Sequence, residues 1–140
     1  MDVSRYRPLL GVAALLIWIV SLALPVETDC GGLPIKGYLV LETGWLGPLG
    51  GQFGWYANLC MLWTIGQLLL NKRPEMTPAV VGAALALSAL TWWRLPSDAG
   101  YSVLCERHAG FYTWIACAVL LALVALAEST IRSKSKGGTR

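Results

Sequence analysis

FYTWIACAVLLALVALA, residues 111–127, contains no acid, base, glycine or proline. Such a run approaches the ~20 residues with which a helix crosses ~30 Å of hydrocarbon. Three more apolar runs precede it, at residues 8–24, 53–70 and 78–93. In lipid a span must satisfy its own backbone groups, so each run reads as a helix. The expected fold is an all-α membrane protein, a four-transmembrane-helix bundle of up-down-up-down topology. Residues 1–128 form that one domain. Residues 129–140, rich in Ser, Gly, Lys and Arg, are expected to be a disordered tail.

Composition supports this reading. Apolar residues make up 56% of the 140-residue chain, charged residues 14%, and mean hydropathy is +0.57. Soluble domains carry about a quarter charged residues. The net charge is only +3, but the 11 basic residues are unevenly placed. Arg5, Arg7, Lys72, Arg73, Arg132, Lys134, Lys136 and Arg140 fall before span one, between spans two and three, or after span four. Lys36, Arg94 and Arg107 fall in the other two gaps. The positive-inside rule then puts both termini and the turn 71–77 in the cytoplasm, and the loops 26–52 and 95–110 outside. The basic tail reads as a topology signal touching anionic lipid, not as a nucleic-acid contact. A cleaved signal peptide is the alternative for the first run. Its length and Trp18 favour an uncleaved helix.

Four cysteines divide two and two. Cys30 and Cys105 fall one in each outer loop, in a compartment that is oxidising in bacteria. A disulfide between them would tie the loops together; two unpaired thiols is the other reading, and geometry decides between them. Cys60 and Cys117 lie at similar depth in spans two and four, where small buried core residues are the expectation. No Cys-x-x-Cys and a single histidine leave neither a redox motif nor a metal-ligand set. His108 reads as a solvated loop residue without an oriented nucleophile beside it. No catalytic residue, cofactor or metal is expected.

Ionisable groups inside a membrane usually mark ion or substrate paths, and the spans hold none between their ends. Asn58 and Gln67 in span two are the strongest polar groups at depth, suited to interhelical hydrogen bonds or to a ligand or partner. Ala79, Gly82, Ala83, Ala86 and Ala89 share a face of span three that admits close helix packing, within the monomer or between copies. Trp45, Trp55, Tyr56, Trp92, Trp93, Tyr101, Tyr112 and Trp114 crowd the outer side as an aromatic belt. Tyr38–Leu41 reads as strand-like or interfacial. The stretch 44–51, apolar yet full of Gly and Pro, reads as a segment dipping into the headgroup layer and unsuited to a regular helix. Trp45, Trp55, Tyr56, Asn58 and Gln67 are the candidate partner- or ligand-binding residues.

Cys30, Gly44-Trp45-Leu46-Gly47, Gly51-x-Phe53-x-Trp55-x-Ala57-Asn58 and Gly110-Phe111-Tyr112-x-Trp114-Ile115-Ala116 together resemble a family of small four-span bacterial membrane proteins. There the second helix opens with Phe-Ala-Trp-x-Ala-Asn-Pro and the fourth with Gly-Tyr-Tyr-x-Trp. This chain departs with Gly54 for the alanine and Leu59 for the proline. The resemblance covers about half the chain. It implies a bacterial inner-membrane protein and carries over no catalytic residue.

The expected function is a non-enzymatic interaction or scaffold module that recognises a partner or lipid at the outer interface. The alternatives are an immunity protein against a pore-forming toxin and a homo-oligomeric channel or transporter subunit. The expected partners are the lipid bilayer, a membrane protein or a second copy, and no nucleic acid.

Overall fold

The structure, a computed structural model, describes residues 3–30, 32–92, 94–97 and 100–137. Trp93, the Tyr101 side chain and the end of the basic tail lie outside the described residues.

The chain is mostly helical. Helix α1 (Arg7–Ala23) carries Pro8 in its first turn, where a missing donor costs no hydrogen bond, and ends before Pro25. A short α2 (Gly37–Thr43) leads into a 3-10 segment, Gly44–Gly50. Helix α3 (Ala57–Leu69) is entered through a 3-10 turn, Gly54–Tyr56. Helix α4 (Met76–Ser88) runs on into a 3-10 turn, Ala89–Thr91. Helix α5 (Ala109–Gly137) is the longest.

The four long helices close into a ring, with α1 and α4 each packed on both α3 and α5. Neighbours run antiparallel. Arg7 at the start of α1 meets Glu128 late in α5, Gly110 at the start of α5 lies against Ser21 at the end of α1, and Gly54 before α3 lies against Leu85 late in α4. Met61, Ile65 and Leu68 of α3, Ala86 of α4 and Leu121 of α5 fill the centre. Between α3 and α4 the chain reverses through Asn71, whose φ of 55° places it in the left-handed region. Lys72 N–H bonds Gln67 O, and Asn71 N–H bonds Leu68 O. Together they form a Schellman ending with Asn as the left-handed residue, a role asparagine fills next best after glycine.

Four equally long spans are not what the helices show. Among the described residues, Ala109–Ile131 is the one helix both long and apolar enough to cross a membrane; Arg7–Ala23 and Met76–Thr91 are apolar but shorter. The shortfall has a local cause. The start of run two and the end of run three pass into 3-10 turns and extended chain, where Gly51 (φ 74°) and the strand Arg94–Ser97 redirect the backbone.

Three expectations are corrected. The loops between the helices, expected to carry no sheet, form a small one that caps one end of the mostly helical fold: β1 (Pro25–Asp29), β2 (Pro34–Lys36), β3 (Arg94–Ser97) and β4 (Gly100–Arg107) pair antiparallel in the order β2-β1-β4-β3. Tyr38–Leu41 is helical within α2, where Gly37 packs so closely on Ser21 and Leu22 of α1 that a Cβ there would stand 2.6 Å from Ser21 O. The contact fixes the local geometry against the β-favouring side chains. The segment after Glu128 continues α5 to Gly137, since extending an established helix costs far less than starting one. Within the cap, β1 and β4 pair Glu27 with Arg107 and Thr28 with Glu106. Cys30 and Cys105 are joined by a disulfide across these two strands, with Cα atoms 5.2 Å apart.

Candidate functional site

A partly open cavity of about 60 Å³ lies where the helix ring meets the cap. Val26, Val40, Trp92 and Phe111 give it apolar walls, while Glu27, Gln52 and Asn58 supply its polar groups.

Asn58 occupies the first turn of α3 and is almost fully buried. Its Oδ1 accepts two indole N–H groups, from Trp18 on α1 at 3.0 Å and Trp114 on α5 at 2.9 Å. Its Nδ2 donates to Trp55 O at 2.9 Å. One amide thus joins three helices beside the cavity, and both lone pairs of its oxygen are used.

Trp55 is set in place by Gly44. A Cβ on residue 44 would stand 2.5 Å from Trp55 Cδ1, so only glycine admits the ring. The Trp55 indole donates to Leu41 O at 2.7 Å, tying the 3-10 turn before α3 to α2. Gln52 follows the left-handed Gly51 and is held by its own N–H on Gly47 O at 2.9 Å. Its Nε2 donates to Arg94 O, which turns the other end of the amide away from β3. That end, Oε1, is buried and has no hydrogen-bond partner among the described residues.

Glu27 is 2% exposed. Burial pushes its carboxyl from 4.5 up to about 7, and the Arg107 guanidinium, with Nε 4.0 Å from Glu27 Oε1, opposes that rise. Arg107 is positioned by three further contacts: Trp92 O at 2.5 Å, Ala89 O at 3.4 Å, and the Phe111 ring, whose centroid lies 4.9 Å from the guanidinium carbon. His108 lies in the connection between β4 and α5, half-buried and hydrogen-bonded. Its Nε2 lies 2.5 Å from Thr28 Oγ1, and its N–H bonds Val26 O, so β4 is closed onto β1.

Of the candidates, Asn58 and Trp55 meet at the cavity. Tyr56 stacks edge-on against Trp55, with centroids 5.4 Å apart, and faces partly outward. Trp45 stands 56% exposed on the cap, away from the cavity lining. Gln67 lies at the far end of α3, where Oε1 accepts from Glu75 N–H and Nε2 donates to Glu75 Oε1, both at 2.8 Å. Ala79, Gly82, Ala83, Ala86 and Ala89 are all buried within the chain, and a Cβ on Gly82 would meet Cys60 Cβ at 2.8 Å. Buried Cys117 lies with Sγ 3.5 Å from Ala14 O.

Sequence reasoning missed Glu27 and Gln52 as cavity groups, and Trp18 and Arg107 as the partners of Asn58 and Glu27. Trp114 was visible only as one aromatic of a belt. The pair Arg7–Glu128, with Nε–Oε1 2.6 Å and Nη2–Oε2 2.9 Å, was also missed; it closes the opposite end of the ring. Its one signal was an arginine and a glutamate at the two ends of apolar runs.

No protein-family model, curated protein or solved structure matches the chain. The site therefore has to be read from its own chemistry. It offers a small apolar recess, lined in part by a carboxyl that burial pushes up to about 7. Among the described residues, no group of three His, Cys, Asp or Glu stands together to hold a metal.

Proposed function

We propose that this chain is a four-span protein of the bacterial inner membrane, with both ends and the α3–α4 turn on the cytoplasmic side. In this reading it is a non-catalytic recognition module whose binding site is the cavity beneath the disulfide-tied outer cap.

Support for the membrane comes from the outward faces of the ring. Leu9 and Leu16 of α1, Leu59 and Trp63 of α3, Val81 of α4 and Leu123 of α5 are all exposed. Apolar surface on every long helix is far more than a water-soluble monomer leaves bare. The 17 residues of α1 rise about 25 Å, a few ångströms short of ~30 Å of hydrocarbon. Local bilayer thinning and snorkelling of flanking residues absorb such a mismatch at modest cost. The resemblance in the Gly44–Asn58 and Gly110–Ala116 regions points to the same family of four-span proteins.

The observation that carries recognition is the cavity itself, apolar in its walls, with Glu27, Gln52 and Asn58 among its lining residues. The channel reading has less support. The α4 face that would join copies is spent inside the chain, and Met61, Ile65, Leu68 and Leu121 fill the centre where a lumen would run.

A photoreactive residue at Val40, which lines the cavity, tests the reading in intact cells. A discrete adduct at Val40 that is absent from a control at Leu120 is expected. A lipid-sized adduct supports lipid recognition and a protein adduct supports the immunity reading. Identical smears at both positions would sink the site.

A further inference from the structure

Resting on that reading, we propose that the cavity takes the end of one acyl chain of an outer-leaflet bilayer lipid, whose head stays outside in the headgroup layer beside the cap.

The lining decides the chemistry. Its polar side chains are spent or sealed. Asn58 Oδ1 already holds two indoles, and Asn58 Nδ2 donates to Trp55 O. Gln52 gives its Nε2 to Arg94 O, and its Oε1 has no exposed surface. Ser21 Oγ donates to Trp18 O, and Glu27 is sealed in beside Arg107. A bound water needs two to four polar partners, and a polar head needs as much. What remains is the apolar wall of Val26, Val40, Trp92 and Phe111. Wall atoms that face a void lose dispersion contacts, and a methylene chain restores them.

Place and size name the occupant. Ser21 lies at the end of α1, Asn58 at the start of α3 and Phe111 at the start of α5, so in the four-span reading the cavity sits at the outer edge of the hydrocarbon. Leu39 and Leu59, next in sequence to the lining residues Val40 and Asn58, are exposed. A membrane around the ring covers that apolar surface with lipid, so the neighbour at hand is an acyl chain. A site of roughly 10–15 Å³ holds one water, so about 60 Å³ takes the last few methylenes of a chain and not a whole lipid.

Trp55, Trp92 and Trp114 line the cavity and report on it. The full-length protein is purified in a bile-salt detergent, whose fused rings do not compete as a flexible chain would. It is titrated with 12-bromododecanoic acid and, separately, with 2-bromododecanoic acid, compared at equal loading of the micelle, and bromine quenching of indole fluorescence is read. The expected result is a saturable component for the end-brominated chain, at least about threefold larger than for the chain brominated beside its head. Val40→Phe, which fills the cavity, should remove that component and leave the linear quenching of outward tryptophans. Equal components for the two isomers, or a saturable component for neither, would overturn the proposal. The isomer comparison is made on the unmodified protein, so it decides the matter even if Val40→Phe does not fold. The photoreactive Val40 protein separates this failure from that of the site. A discrete protein adduct there, with no preference between the isomers, would overturn the chain and keep the cavity as a recognition site, whereas identical smears at Val40 and Leu120 would remove both.

Discussion

Trp114 on α5 donates its indole N–H to Asn58 Oδ1 on α3 at 2.9 Å, and the same oxygen also receives Trp18 from α1. Replacing Asn58 by Leu leaves two half-buried indole donors without an acceptor. Hydrogen bonds between membrane helices average ~0.6 kcal/mol, whereas an orphaned buried donor costs ~1–3 kcal/mol. The orphaning penalty should dominate, so Asn58→Leu is expected to destabilise by about 2 kcal/mol, and Trp114→Phe, which removes one donor and leaves the oxygen paired with Trp18, by less. Unfolding titrations in mixed micelles measure both; equal effects would contradict the pairing.

Arg7 and Glu128 form a two-pronged ion pair, with side chains 11% and 7% exposed. Breaking a buried pair leaves a bare charge, at ~3–5 kcal/mol, while replacing both members by apolar residues is often near neutral. Arg7→Met and Glu128→Leu should each lower the melting temperature strongly. The double variant should recover most of the loss. A double variant no better than the worse single one would show that the pair is not the source.

Glu27 gives stability a pH dependence of defined sign. Its folded pKa, about 7, exceeds the ordinary 4.5. Its contribution is therefore fully present below about pH 4.5 and lost as pH rises through about 7. The span corresponds to at most roughly 3 kcal/mol at 1.36 kcal/mol per unit. Glu27→Gln, which cannot ionise, should flatten the melting temperature between pH 5 and 8 and be the more stable form at pH 8. A profile unchanged by this substitution would contradict the burial of an ionisable Glu27.

The Cys30–Cys105 bridge closes a loop of sequence separation 75. The chain-entropy relation gives about 4 kcal/mol for such a closure. Reduction, or Cys30→Ser, should lower stability by an amount of that order and loosen β1 from β4. An amide-exchange map with those strands equally protected in both forms would contradict the role of the bridge.

Gly44→Ala should push Trp55 out of its seat, because a methyl group at residue 44 would stand 2.5 Å from the ring. Loss of the Trp55–Leu41 bond would appear as a red-shifted, more quenchable indole emission. An unshifted spectrum would count against the packing described.

The long helices were legible because long uninterrupted apolar runs have few other outlets, and Pro8, Pro25 and the 71–77 turn marked their limits. The cap was not. Strand β1 reads PVETD and β4 GYSVLCER, neither with the alternation of a half-buried strand, and their pairing depends on residues far apart in the chain. Glu27 shares its loop with Asp29, Lys36 and Glu42, and nothing local marked it for burial or named Arg107, far along the chain, as its partner. Asn58 stood out as a polar residue at depth, but nothing local named Trp18 and Trp114 as its partners. The 3-10 segment Gly44–Gly50 was correctly distrusted as a regular helix, since its glycines serve close approach: Gly44 admits Trp55, and Gly51 after it turns the chain at φ 74°.

The account depends most on the sheet and its disulfide lying outside a membrane that the four long helices cross. Labelling of intact spheroplasts with a membrane-impermeant maleimide, before and after an impermeant reductant, tests this directly. Cys30 and Cys105 should be modified only after reductant and without lysis, while Cys60 and Cys117 stay unlabelled. Modification of Cys30 and Cys105 only once the cells are broken would contradict the topology, and with it the site beneath the cap.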